Sequence, residues 1–115
     1  MVTKSKYVPG RGDVVWIDFN PARGHEQARR RPAIVVSPKS YNERTGMMLA
    51  CPITSQAKTY PFEVEVGAGK LNGVILADHV RALDWHTRKI AFIQKAALAA
   101  IATTQERLVQ LIIEG

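Results

Sequence analysis

Apart from its C-terminal stretch, this chain has no apolar run long enough for more than a short strand. Turn and breaker residues cut it at Pro9-Gly10-Arg11-Gly12, Asn20-Pro21, Pro38, Gly46 and Gly67 to Gly73. The pieces between are rich in β-branched and aromatic residues, as strands are. Strands are expected over Val14 to Phe19, Ala33 to Ser37, Met47 to Thr54 and Ile90 to Ile93. Phe62-Glu63-Val64-Glu65-Val66 alternates, apolar inward and acidic outward. Asn72-Gly73 is a hairpin signal. Val74 to Ala77 and Val80 to Leu83 read as a strand pair or one bent strand. Pro52 marks its end of the third strand as an edge or a bulge, with Thr54 exposed beside it. Ser40 to Arg44 suits one helical turn ending at Gly46. Thr103 and Glu106 stand at capping-box spacing. They predict a helix from about Thr104 to Ile113, with Leu108, Val109, Leu111 and Ile112 on or near its buried face. Ala96 to Ile101 adds one more possible turn. The expected architecture is mainly β with helices (α+β): a small, strongly curved barrel or sheet with helical caps.

Length and composition narrow the class. The 115 residues make one domain, with a core that needs no disulfides. At 46% hydrophobic residues the chain is globular. Its one cysteine, Cys51, lies in an apolar run and reads as a buried thiol. Such cysteine usage suits a reducing cytosol, so a cytoplasmic location is expected. No run approaches the ~20 residues of a membrane span. Met1 to Arg11 has lysines but no apolar core behind them, so it is not read as a signal peptide. The net charge of +6 favours a polyanionic partner through phosphate neutralisation and counterion release.

Chemistry concentrates where a polar loop meets a strand, in Gly24-His25-Glu26-Gln27-Ala28-Arg29-Arg30-Arg31-Pro32. Pro32 biases Arg31 toward extended backbone, because its ring clashes with a helical residue before it. Arg31 should stand at the loop-to-strand junction with its guanidinium outward. Its partner stretch is Pro52-Ile53-Thr54-Ser55-Gln56. There is no Walker loop, Gly-x-Gly-x-x-Gly or Gly-x-Ser-x-Gly. His25, His79 and His86 lack metal-ligand spacing, and the acids do not cluster as a two-metal nuclease needs. A nuclease built on these residues would work without a metal or other cofactor, and that chemistry is open to RNA alone. The substrate's 2′-OH attacks the neighbouring phosphorus. The protein must stabilise charge on the phosphate, accept the 2′ proton and protonate the leaving 5′ oxygen. Arginine suits the first task with a bidentate fork that stays charged. Threonine can add a second donor, and Glu26 could accept a proton or orient the arginine. The same residues also allow plainer readings: a solvated run of arginines, a strand-end threonine, a glutamate that only orders its loop. His79 and His86 could form an acid/base pair or be turn residues.

Taken together, Gly12-Asp13-Val14-Val15-Trp16-Ile17-Asp18-Phe19-Asn20-Pro21, Gly24-His25-Glu26-Gln27, Arg31-Pro32-Ala33-Ile34-Val35-Val36-Ser37-Pro38, Tyr41-Asn42, Thr45-Gly46, Pro52-Ile53-Thr54, Tyr60-Pro61-Phe62-Glu63-Val64 and Leu76-Ala77-Asp78-His79-Val80-Arg81 resemble the MazF/PemK family of toxin endoribonucleases from type II toxin–antitoxin systems. The resemblance runs from Tyr7 to the last helix. It implies an SH3-like β-barrel of the CcdB/PemK-like toxin fold with a C-terminal helix, working as a homodimer. It implies metal-independent cleavage of single-stranded RNA (mRNA) at short motifs, leaving a 2′,3′-cyclic phosphate and a 5′-OH and arresting growth. Arg31, Thr54 and Glu26 take the family's catalytic positions. Arg29, Arg30, His25, Gln27, Ser55, Gln56 and Lys58 are the expected RNA-binding residues. A cognate antitoxin with an acidic, disordered tail is the implied partner. The run Arg29-Arg30 before Arg31 departs from relatives and adds charge at the groove. The alternative is a non-catalytic toxin of the same fold that poisons DNA gyrase through its C-terminal helix.

Overall fold

The computed structural model describes residues 7–19, 30–67 and 69–114. In chain order it contains β1 (Asp13–Asp18), β2 (Arg30–Val35), α1 (Lys39–Thr45), β3 (Met47–Thr54), β4 (Glu63–Glu65), β5 (Val74–Leu76), a 3-10 turn (Ala77–His79), β6 (Arg81–Asp84), β7 (Ala91–Lys95) and α2 (Leu98–Glu114). The strands form one seven-stranded sheet ordered β4-β5-β3-β2-β1-β7, with β6 also paired to β3. Every pairing is antiparallel. Among the described residues no ladder joins the two ends of this order, so the expected barrel is an open sheet.

The two faces of the sheet build two cores, because successive strand residues point to opposite sides. Val14, Ile34, Cys51, Ile53 and Ile75 share one face with Ala96 and Ala100 beside α2. Val15, Ile17, Ala33, Val35, Met48, Ala50, Leu83 and Trp85 make the other. β3 is central to both. It pairs with β2 through Ala33↔Pro52, Ile34↔Cys51 and Val35↔Ala50. On its other edge it pairs with β6 from Met47 to Ala50, then with β5 at Ile53 and Thr54. Val74 to Leu83 is therefore one strand bent by the 3-10 turn, the second of the two arrangements its sequence allowed. Pro52, expected at an edge or bulge, lies in a central strand. It sits in the interval where β3 changes partners, the place where a missing N–H disturbs the ladder least.

Two boundaries differ from the sequence pattern. β2 begins at Arg30, so both arginines before Pro32 already belong to the strand. α2 is one continuous helix from Leu98. Thr104, fully buried, donates its hydroxyl to the Ala100 carbonyl at 2.8 Å, so the Thr103–Glu106 pair lies inside the helix and caps nothing. Of the apolar residues assigned to its buried face, Leu108 packs on the first core. Val109, Leu111 and Ile112 are exposed, Ile112 at 79%. Gly46 ends α1 with φ of 72°, the left-handed cap for which glycine is the usual residue.

Candidate active site

The site is set by the register between β2 and β3. The last paired residues are Ala33 and Pro52. Two steps further along the same antiparallel register, Arg31 falls opposite Thr54. Paired residues share a face, and Arg31 also stands across from Ile17 of β1. Arg31 and Thr54 thus lie on the side of the sheet that carries the second core, beyond its edge. Arg31 is exposed and Thr54 half-buried. Pro32 has no N–H to give across to β3, which removes one donor where the β2–β3 ladder ends.

Thr54 has a defined hydrogen-bonding state. Its Oγ1 accepts the Gln56 N–H at 3.1 Å. The hydroxyl proton remains to be given to an acceptor in the groove, such as a phosphate oxygen. On the neighbouring strand, the Thr54 carbonyl would lie 2.7 Å from a Cβ at Gly73, so only glycine allows that approach.

The loop after Thr54 holds Ser55, Gln56 and Lys58, all exposed. The Glu63 carboxylate fastens it by accepting the Lys58 and Thr59 N–H groups, each at 2.8 Å. Thr59 takes a φ of 61° within this clasp. Tyr60 donates its hydroxyl to Asp78 at 2.7 Å. That bond, with Asp78 charged, raises the Tyr60 pKa to about 12. Arg107 of α2 donates to the Pro61 carbonyl at 3.0 Å. Sequence reading missed all of these braces. Glu63 was read as one of the outward acids of an alternating strand. The available signal was its position just past a loop that must order its own backbone N–H groups.

Glu26, His25, Gln27 and Arg29 lie outside the described residues. The segments flanking their loop are held to one turn. Arg88 donates to the carbonyls of Asp18 and Phe19 at 3.2 and 2.7 Å, and the Asp18 N–H returns a bond to the Arg88 carbonyl. On the far side, Arg30 donates to the Lys89 carbonyl at 3.4 Å. Arg30 alternates to the face opposite Arg31, so the two arginines serve different surfaces. His79 lies 3.8 Å from Asp78, and His86 stacks on Trp85 with ring centroids 4.0 Å apart. They occupy separate places and form no acid/base pair. Burial, with Asp78 nearby, pushes the Cys51 thiol up to about 12, which makes it inert as a nucleophile. Among the described residues, no three His, Cys, Asp or Glu side chains gather as a metal site would require.

An exposed arginine across the β2–β3 register from a threonine offers two hydrogen-bond donors suited to a phosphate, and the fold that holds them is shared with known proteins. Residues 10–112 match the family described as PemK-like, MazF-like toxin of type II toxin-antitoxin system. The chain belongs to that family. It is 51% identical to the endoribonuclease toxin MazF of Escherichia coli K12 over 84 residues, 73% of this chain and 76% of that one. It is 38% identical to the endoribonuclease toxin ChpB of the same strain, over 96% of each chain. Among solved structures it is similar to MazF in a MazE–MazF complex of Deinococcus radiodurans, with a TM-score of 0.82 and 44% identity over 93% of this chain and 97% of that one. That neighbour thus shares the mainly β architecture with a C-terminal helix described above.

Proposed function

We propose that this chain is an endoribonuclease toxin that cuts single-stranded RNA at short motifs without a metal, restrained by a cognate antitoxin. The reading is supported most by the β2–β3 register, which sets Arg31 and Thr54 across from one another at the rim of the sheet. The scissile phosphate sits between them. The 2′-OH attacks phosphorus, the Arg31 fork takes the charge that grows on the non-bridging oxygens, and Thr54 donates its free hydroxyl proton to the same group. Glu26 accepts the 2′ proton or orients the arginine. The P–O5′ bond breaks as the P–O2′ bond closes, and a proton from solvent, matching the one taken from the 2′-OH, ends on the leaving oxygen, so the products carry a 2′,3′-cyclic phosphate and a 5′-OH. Arg29, His25, Gln27, Ser55, Gln56 and Lys58 contact the flanking nucleotides, and the clasped loop after Thr54 presents the last three of these; Arg30, on the opposite face, is not among them. The chain acts in the cytoplasm as a homodimer. Its +6 charge suits both RNA and an acidic antitoxin tail.

The test is purified protein with long single-stranded RNA in EDTA, beside the matching DNA and the Arg31→Ala variant. Discrete RNA fragments with cyclic phosphate ends, absent with DNA and with the variant, are the expected result. A second reading has one observation in its favour. The last turns of α2 expose Val109, Leu111, Ile112 and Ile113, an apolar surface of the kind a gyrase poison would use. RNA left intact over varied sequences, with gyrase captured by the protein, would replace the nuclease by that reading.

A further inference from the structure

A second place on the molecule has the chemistry of a nucleotide site. Asp13, at the start of β1, is 4% exposed, and its carboxylate organises a hollow between α1 and β7. It accepts the Tyr7 hydroxyl at 2.6 Å, the Gly10 N–H at 3.0 Å and the Lys95 ammonium at 2.6 Å. These bonds fix Tyr7, whose ring meets Phe92 edge to face with centroids 5.9 Å apart. Phe92 nevertheless remains 48% exposed, on the edge strand of the sheet. A large exposed aromatic on an edge strand is a liability unless something covers it. Lys39 lines the same hollow, and no ion pair holds it among the described residues. Lys95 is already matched by Asp13, so Lys39 carries a positive charge in the hollow that no described side chain pairs.

The position follows from the register. Phe92 stands opposite Val15, and Arg31 opposite Ile17. Val15 and Ile17 share a face, so Phe92 and Arg31 do too. They are two strand spacings apart across the sheet and two residues apart along it, about 12 Å in all. Val15 and Ile17 between them are fully buried, so a single strand joining the two passes around the second core rather than straight across the sheet.

We propose that this hollow binds one nucleotide of the RNA flanking the cut, with its base stacked on Phe92 beside Tyr7 and its phosphate on Lys39. This rests on the ribonuclease reading and adds a contact for the strand at the sheet edge, beyond the second core. A rigid aromatic face with a nearby cation is the combination by which single strands are held without base-pair readout.

The experiment measures binding of single-stranded oligonucleotides with 2′-fluoro ribose throughout, which cannot be cut because they lack the 2′-OH. Lengths of about 4 and about 12 nucleotides bracket the size of a small single-strand site. The parent protein should bind the longer oligomer more tightly. Phe92→Ala should lose about 5- to 150-fold on the longer oligomer, the range that one stacked base contributes. Phe92→Trp should restore it. Lys39→Ala, an exposed change on α1, should lower the salt slope by about 0.7, the share of one phosphate on a single strand. If the parent shows its length gain and both Phe92→Ala and Lys39→Ala match it in affinity and slope, the proposal fails while the ribonuclease reading stands. If the parent binds neither oligomer, both fail. If the variants bind RNA as the parent does but lose an acidic peptide, the hollow serves a protein partner and the RNA assignment is wrong.

Discussion

The two ends of β3 are held by different forces. At the Met47 end the strand lies between β2 and β6, and Met48 and Ala50 have no exposed surface. Its backbone is tied to a buried polar network. The Leu49 N–H donates to Ser37, Ser37 donates to Asn42, and Asn42 donates to the carbonyls of Pro9 and Ser37. At the Thr54 end the β2 ladder stops two residues short, and β5 pairs only with Ile53 and Thr54. Order there comes from side chains accepting backbone N–H groups, Thr54 for Gln56 and Glu63 for Lys58 and Thr59. One end is fixed by burial. The other is fixed by polar bonds that keep Arg31 and Thr54 accessible, as a site for a charged, hydrated substrate must be.

Substitutions at the two ends should therefore separate stability from activity. Met48→Ala removes a fully buried side chain and should cost about 2–5 kcal/mol of stability, read by denaturant unfolding. Arg31→Ala should cut RNA cleavage by about 10²–10³ while the melting temperature holds. If Arg31→Ala lowered the melting temperature as far as Met48→Ala does, the division between the ends would be wrong. Thr54→Val removes a single neutral donor of similar shape and should slow cleavage by about 2- to 12-fold. Glu63→Gln exchanges a charged acceptor for a neutral one. Amide exchange at Lys58 and Thr59 should rise about fivefold, with a smaller loss of cleavage. Unchanged exchange at both amides would mean that the clasp is not what orders the loop.

The same division explains what the sequence disclosed. Strands appeared where they bury a face: Met47 to Thr54 reads directly from its apolar run, and the Gly46 stop from its lack of a side chain. Arg31 and Thr54 stood out because prolines flank them. That their two stretches are partners was legible, but the register that sets one residue across from the other was not, since register is a relation between distant segments and single-strand patterning does not encode it. Glu63 escaped because its alternation with Val64 looks the same whether its carboxylate meets water or two backbone N–H groups. Arg88 escaped for a similar reason: its partners are the carbonyls of Asp18 and Phe19 at the end of β1, and carbonyls carry no sequence signal. The capping box at Thr103 misled because Thr104 satisfies its hydroxyl within the helix. Ile112 misled because helical spacing reports which residues align and not whether anything lies opposite them.

The smallest expected effect concerns pH, and it again distinguishes a buried group from an exposed one. Burial raises Cys51 from its ordinary 9 to about 12, so the folded protein favours the neutral thiol. The stabilisation is fully present below pH 9 and is lost as pH rises toward 12. Between pH 9 and 10 it should fall by about 1 kcal/mol, because the unfolded chain releases a proton that the folded one retains. Tyr60, near the site, is raised from 10 to about 12 by its bond to Asp78. Its contribution is lost over the same high-pH range but starts one unit later, and solvent screening keeps it small. Urea unfolding from pH 8 to 10 should show the slope in the parent and lose most of it in Cys51→Ala, whatever the variant's absolute stability. A slope equal in the two proteins would mean that Cys51 ionises as readily in the fold as outside it. The middle of β3 would then be open to water, and the contrast between its two ends would have to be redrawn.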